Sequence, residues 1–251
     1  MTGEALTTQD DVRALLTRRA REVTPARIFT GGPEGGYTTT DLLALRADHA
    51  AARDAVLAPL DLADPALADI AARHAVFAVD SQAGSIEEHL LRPDLGRRLS
   101  DAGRAAITAA CTPATDVQIV IGDGLSAAAV HAQVPTLLPL LVAECRQRGW
   151  TVGRPFAVRH CRVGVMNDVG DALDPAVVVL LVGERPGLAT AESLSAYLAY
   201  RPRPGDTDAK RDLISNIHAR GLTTEEAVRR IGDLIAEQRA LRGSGVAARS
   251  A

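Results

Sequence analysis

Apolar positions along the first quarter of the chain repeat every three to four residues. From Asp10 to Val23, the residues Val12, Leu15, Leu16 and Ala20 fall at this spacing, which predicts an amphipathic helix entered through Thr-Thr-Gln-Asp. The period returns in "TTTDLLALRADHAAARDAVLAPL", where Thr40 is the expected cap and Leu42, Leu43, Leu45, His49, Ala52, Val56 and Leu57 form the apolar stripe. Its polar face alternates Arg46, Asp48, Arg53 and Asp54. Such a face is either solvated and self-paired or docked on a larger partner.

From residue 66 the pattern shortens. "HAVFAVDSQ" alternates as a strand, and "RPDLGRRLSDAGRAAITAAC" opens on a Pro-Asp turn and becomes an Ala-rich helix. "DVQIVIGDGLSAAAVHAQVPTLLPLLVAECRQRGW" reads as strand, glycine turn, short helix and longer helix. "RPFAVRHCRVGV" alternates as a strand, "VGDALDP" supplies a turn, and "AVVVLLVGERPGL" is a continuous apolar strand of the kind buried on both faces. "TAESLSAYLAYRPRP" predicts a helix closed by prolines, and "TEEAVRRIGDLIAEQRALRG" a final helix capped at Thr223 or Thr224 and ended by Gly243. Strands alternating with helices predict an α/β fold, a Rossmann-like, mostly parallel sheet flanked by helices, with right-handed crossovers. The expected division is an N-terminal helical region over 1–65 and an α/β domain over 66–251.

Composition narrows the class. Of the 251 residues 47% are hydrophobic but only 3% aromatic, so the core is expected to be Ala, Val and Leu. A net charge of −3 argues against a life on nucleic acid or an anionic membrane. Cys111, Cys145 and Cys161 are widely spaced and make no CxxC, which reads as reduced thiols inside the cell. The opening segment has no secretory apolar core, and no unbroken apolar run reaches the ~18 residues of a membrane helix. The six histidines make no metal-ligand spacing, and no metal is expected.

"TGGPEGG" (30–36) is a loop, read as a connector or partner contact before an anion cradle, because no strand precedes it. Arg92, Arg97, Arg98 and Arg104 either steer an anionic ligand or pair with Asp94 and Asp101. Ligands of α/β sheets bind outside the carboxyl ends of the strands, and that rule selects "GDGLSA" (122–127) and "GERPGL" (183–188). In the first, Asp123 and Ser126 offer a nucleophile or a phosphate-binding helix start, against a plain strand-to-helix turn with Ser126 at the helix start. Ala127 excludes G-x-G-x-x-G, and the nucleophile elbow is absent. In the second, Glu184 and Arg185 sit between glycines at Pro186, as a salt-bridged turn or as a ligand rim.

Five blocks in order, "LRPDLGRRLS", "IVIGDGLSA", "FAVRHCRVGV", "LLVGERPGL…ESLSAYLAYRP" and "ISNIHARG", give a resemblance covering about Ala26 to Gln238. The chain closely resembles the small (light) subunit of ethanolamine ammonia-lyase. That resemblance implies a lyase dependent on adenosylcobalamin, converting ethanolamine to acetaldehyde and ammonia. It also implies a large TIM-barrel subunit carrying the chemistry, six copies of each chain, and a cofactor held between the two. This chain would be the non-catalytic, cofactor-binding member, with residues 66–251 as the cobalamin-binding domain. The family's cobalamin contacts carry over onto Val163, Glu184 and Leu213, the last where relatives can have cysteine. The absence of D-x-H-x-x-G implies a base-on cofactor. A bacterial microcompartment or the cytoplasm is the expected location, with at most about 25 residues before the shared body set against encapsulation. The alternative is a stand-alone Rossmann-like enzyme using Asp123, Ser126 or Glu184.

Overall fold

A computed structural model describes residues 9–23, 36–187 and 190–249. All of "TGGPEGG" except Gly36, together with Leu188 and Ala189 of the second selected loop, lies outside these residues.

Helices α1 (Gln9–Val23) and α2 (Thr39–Leu57) come first, followed by α3 (Pro65–Arg73). The cap of α2 is Thr38 rather than Thr40, because its hydroxyl accepts the N–H of Asp41 one turn ahead of the apolar stripe. Of the nineteen residues in α2 only Ala55 is buried, so this stripe is largely bare.

Six strands follow: β1 (Phe77–Asp80), β2 (Val117–Gly122), β3 (Phe156–Arg159), β4 (Val177–Gly183), β5 (Leu194–Tyr200) and β6 (Asp212–Ile217). They form one sheet in the order β1-β3-β2-β4-β5-β6. The first three pairings are parallel, whereas β4 with β5 and β5 with β6 are antiparallel. The fold is therefore α/β with a mixed sheet flanked by helices, and the expected mostly parallel sheet is corrected in its C-terminal half. The physical reason lies in "ESLSAYLAY". Predicted as a helix, it forms β5, sending Leu194, Ala196 and Leu198 into one core while Ser195 and Tyr197 face the other side. An antiparallel partner needs only a tight connection, so no crossover helix is required.

The remaining helices are α4 (Ile86–Leu91), α5 (Asp101–Ala110), α6 (Ala127–Gln147), α7 (Val165–Leu173), α8 (Thr224–Leu241) and α9 (Val246–Arg249). Two other expectations change here. "VGDALDP" is the end of α7 rather than a turn alone, stopping where Asp174 takes a left-handed conformation. The short and longer helices after β2 are one helix, α6, which runs through Pro135 and Pro139. A buried face that includes Val130, Val134, Leu137, Leu138 and Leu141 offsets the hydrogen bonds those prolines forgo. Among the described residues, α6 alone is apolar enough by length and composition to cross a membrane, but that buried face is packed inside the core beside α8 and the sheet.

The sheet thus separates two cores. On one face α3, α6 and α8 bury the side chains of Ile119, Val179 and Leu181; on the other, α5 and α7 bury Val120, Val158 and Leu180. On the second face β5 and β6 extend past α7, leaving Leu213 49% exposed beside half-buried Tyr197, its partner across the strands. This open shelf of sheet positions the candidate site.

Candidate functional site

The two strand-end loops singled out from sequence meet. Gly124, at φ +57°, and Gly183 allow the contact: a Cβ on Gly124 would lie 2.3 Å from the Gly183 carbonyl oxygen, and one on Gly183 would lie 2.0 Å from that of Ser126. The Leu125 N–H donates to the Gly183 carbonyl at 3.1 Å. Ser126, 1% exposed, caps α6 by accepting the Ala129 N–H and donates its own proton to the Ala191 carbonyl at 2.6 Å. Both of its hydrogen bonds among the described residues are to backbone groups, so its hydroxyl is a structural link.

Beside this junction, on the open shelf, lies a cavity of about 380 Å³. Val163, Val182, Tyr197 and Leu213 supply apolar surface, while Arg162, Glu184, Arg185, Ser195 and Ser215 supply polar groups. Val163 comes from the loop after β3, Glu184 from the loop after β4, and Leu213 from β6. The structure brings all three residues carried over by the resemblance to one cavity.

Glu184 is fixed by its own chain. Its Oε2 accepts the Ser193 hydroxyl at 2.6 Å, and its Oε1 accepts the Ser195 hydroxyl at 2.6 Å and the Asn216 N–H at 2.9 Å. Ser193 precedes β5, Ser195 lies in it and Asn216 lies in β6, so this one carboxylate ties the three strand ends together. A carboxylate has about four lone-pair positions; three are taken, and the one left belongs to Oε2. Neither reading of Glu184 made from sequence included these serines.

Asp123, 6% exposed, has a similar job one loop away. Its oxygens accept the N–H groups of His160 at 2.6 Å and Cys161 at 2.7 Å. These bonds hold the turn in which His160 takes φ +55° and from which Arg162 and Val163 reach the cavity. Burial pushes the Asp123 carboxyl above the usual carboxylate range, against the opposing pull of the two N–H groups. Fully buried His89 donates from Nε2 to the Gly124 carbonyl at 2.7 Å, while its Nδ1 has no partner among the described residues. Burial holds the His89 ring below the usual imidazole range, in the neutral form that this single bond suits.

Arg162 donates from one terminal nitrogen to the His89 carbonyl at 3.1 Å, and its buried Nε has no partner among the described residues. Burial first and the Arg185 charge second push its pKa down. Burial likewise raises the Tyr197 phenol. Of the arginines in the 92–104 cluster, Arg92 pairs with Asp94, Arg98 with Asp168 and Arg104 with Asp171. The anticipated partner Asp94 is thus found, and Asp168 and Asp171 of α7 stand where Asp101 was expected.

Ser195, Tyr197 and Asn216 escaped the sequence reading because their segments were assigned as a helix and as an unclassified block. The signal was present as strict two-residue alternation from Ser193 to Leu198.

The profile of the family described as "Ethanolamine ammonia-lyase light chain (EutC)" matches residues 16–249. The ethanolamine ammonia-lyase small subunit of Clostridium perfringens is 42% identical over 236 residues, covering 94% of this chain and 77% of its own length. That of Rhodopseudomonas palustris is 42% identical over 230 residues, covering 92% and 88%, and that of Fusobacterium nucleatum 39% identical over 222 residues, covering 88% and 73%. With a profile match over nearly the whole chain and relatives this similar, the protein belongs to the ethanolamine ammonia-lyase light-chain family and is a small subunit of that lyase.

Proposed function

We propose that this chain forms one wall of an adenosylcobalamin site completed by the large subunit, in a complex that converts ethanolamine to acetaldehyde and ammonia. The observation that carries the reading is the convergence of Val163, Glu184 and Leu213 on one cavity from three separate segments.

The residues present suit the group. A corrin ring offers flat apolar faces and a rim of amides, which call for apolar walls and for both acceptors and donors. Val163, Val182 and Leu213 supply the walls. Glu184, already oriented by three donors, keeps an acceptor position on Oε2 for a rim amide, at little further ordering cost. Pockets that bury a drug-sized ligand run to about 300–1,000 Å³, and at about 380 Å³ this one is small even for that class. A corrinoid, larger still, would be covered along one part only. The exposed Leu213 and the bare shelf of β5 and β6 fit a second chain closing over the rest.

When bound, the cofactor would supply the radical chemistry, with Val163, Glu184 and Leu213 of this chain holding it. The work of this chain is to position and to exclude water. Asp123 and Ser126 act inside the wall rather than on a substrate, which weighs against the stand-alone enzyme. The test is to assay ammonia release from ethanolamine and adenosylcobalamin with the chain alone and after co-expression with the large subunit. Activity is expected only from the pair, and turnover by the chain alone would overturn the reading.

A further inference from the structure

We infer that Arg97, Arg162 and Arg185 form an oxyanion subsite at the mouth of the cavity, built for the phosphodiester of the corrinoid's nucleotide tail. The inference rests on the cobalamin reading above and adds to it which groups of this chain take the ligand's negative charge.

Neighbouring arginines set the contrast. Arg92, Arg98 and Arg104 each hold a carboxylate, whereas among the described residues no carboxylate forms an ion pair with Arg97, Arg162 or Arg185. The nearest acid to Arg162 in charge terms is Asp123, whose oxygens are already turned to the amides of His160 and Cys161. Arg162 is half-buried and keeps a buried Nε without a partner among the described residues. Both Arg185 and Arg97 act on it as like charges. Like charges gathered around a partly desolvated guanidinium are costly unless an anion joins them.

The segment Arg162–Gly164 leads into α7, whose first three N–H groups are already taken by the carbonyls of Arg162, Val163 and Gly164, so any charge for an anion here comes from side chains. The Arg97 stem occupies the place a Gly164 side chain would take, since a Cβ there would lie 2.8 Å from both Cβ and Cγ of Arg97. Val163 faces the cavity described above, and Gly164 faces an adjoining polar one of about 310 Å³ lined also by Arg97. Guanidinium forks reaching in from these two sides suit a phosphate oxygen better than a neutral amide.

The test uses the complex with the large subunit, and displacement of adenosylcobalamin by two probes that differ in one group, cobinamide and cobinamide phosphate. In the wild-type complex the phosphate is expected to tighten binding. In Arg97→Gln/Arg185→Gln, two exposed positions that do not enter the core, that advantage is expected to fall about tenfold or more, the scale of hydrogen bonds to charged groups, with cobinamide affinity unchanged. Equal losses for both probes, no phosphate advantage in the wild type, or a double variant that no longer assembles with the large subunit would each overturn the subsite. A wild-type complex that binds neither probe removes the cobalamin reading beneath it. Retained cobinamide binding without a phosphate advantage removes the subsite alone.

Discussion

The Ser195 hydroxyl donates to Oε1 of Glu184 at 2.6 Å, across the antiparallel junction of β4 and β5. With Ser193 and Asn216 as further donors, the Glu184 carboxylate is fixed before any ligand arrives. Glu184→Ala leaves two hydroxyls and one amide N–H without their acceptor and is expected to cost about 1–3 kcal/mol of stability. Glu184→Gln keeps one acceptor oxygen, and the hydroxyls can turn to accept, so its loss is expected to be smaller. Urea midpoints of the three proteins check the order.

Contact between the two strand-end loops depends on Gly124 and Gly183. In Gly183→Ala the new methyl meets the Ser126 carbonyl at 2.0 Å and that of Asp123 at 2.6 Å, so backbone must move. A loss of about 1–3 kcal/mol is expected, as for other overpacked sites, together with a weakened cavity. Thermal unfolding alongside a corrinoid titration of the complex separates the two effects.

Asp123 is predicted to be a positioning residue. Asp123→Asn puts an amide N–H₂ where one of two backbone donors now finds an oxygen, loosening the turn that presents Arg162 and Val163. The expected result is weaker cofactor affinity with little change in turnover once the complex is saturated. A fall in turnover at saturation, with affinity unchanged, would point instead to a direct part in the chemistry.

Acid should loosen the same region through His89. Its folded pKa lies below the ordinary value because of burial, so the unfolded chain takes up the proton more readily. The stability that neutral His89 contributes is therefore complete above its unfolded pKa of about 6.5 and is lost as pH falls through that value toward the lower folded one. His89→Gln is expected to flatten this part of the stability profile below about pH 6.5, read from urea midpoints as the pH is lowered.

Much of this was legible in the chain, for reasons that differ by element. The apolar run Val177–Val182 and the alternation at Phe156–Arg159 stand out because a buried strand has few other ways to be written. The segment Ser193–Tyr200 misled because Ala, Leu and Ser are common in helices, and pairing with β4 overrode that preference. The short and longer helices expected after β2 are one helix, α6, because its buried face accommodates Pro135 and Pro139 without a break. Resemblance singled out Val163, Glu184 and Leu213. Their meeting at one cavity, and the serines that hold Glu184, depend on strand order and register, which no local pattern encodes.

The most direct test of the central claim is a visible-absorption titration of adenosylcobalamin against the complex with the large subunit, comparing wild type with Leu213→Asp. The exposed site tolerates the substitution in the fold, while a carboxylate placed against the apolar corrin face is expected to weaken binding by about tenfold or more without loss of assembly. Binding by the Leu213→Asp complex equal to that of wild type would contradict the assignment of this cavity to the cofactor.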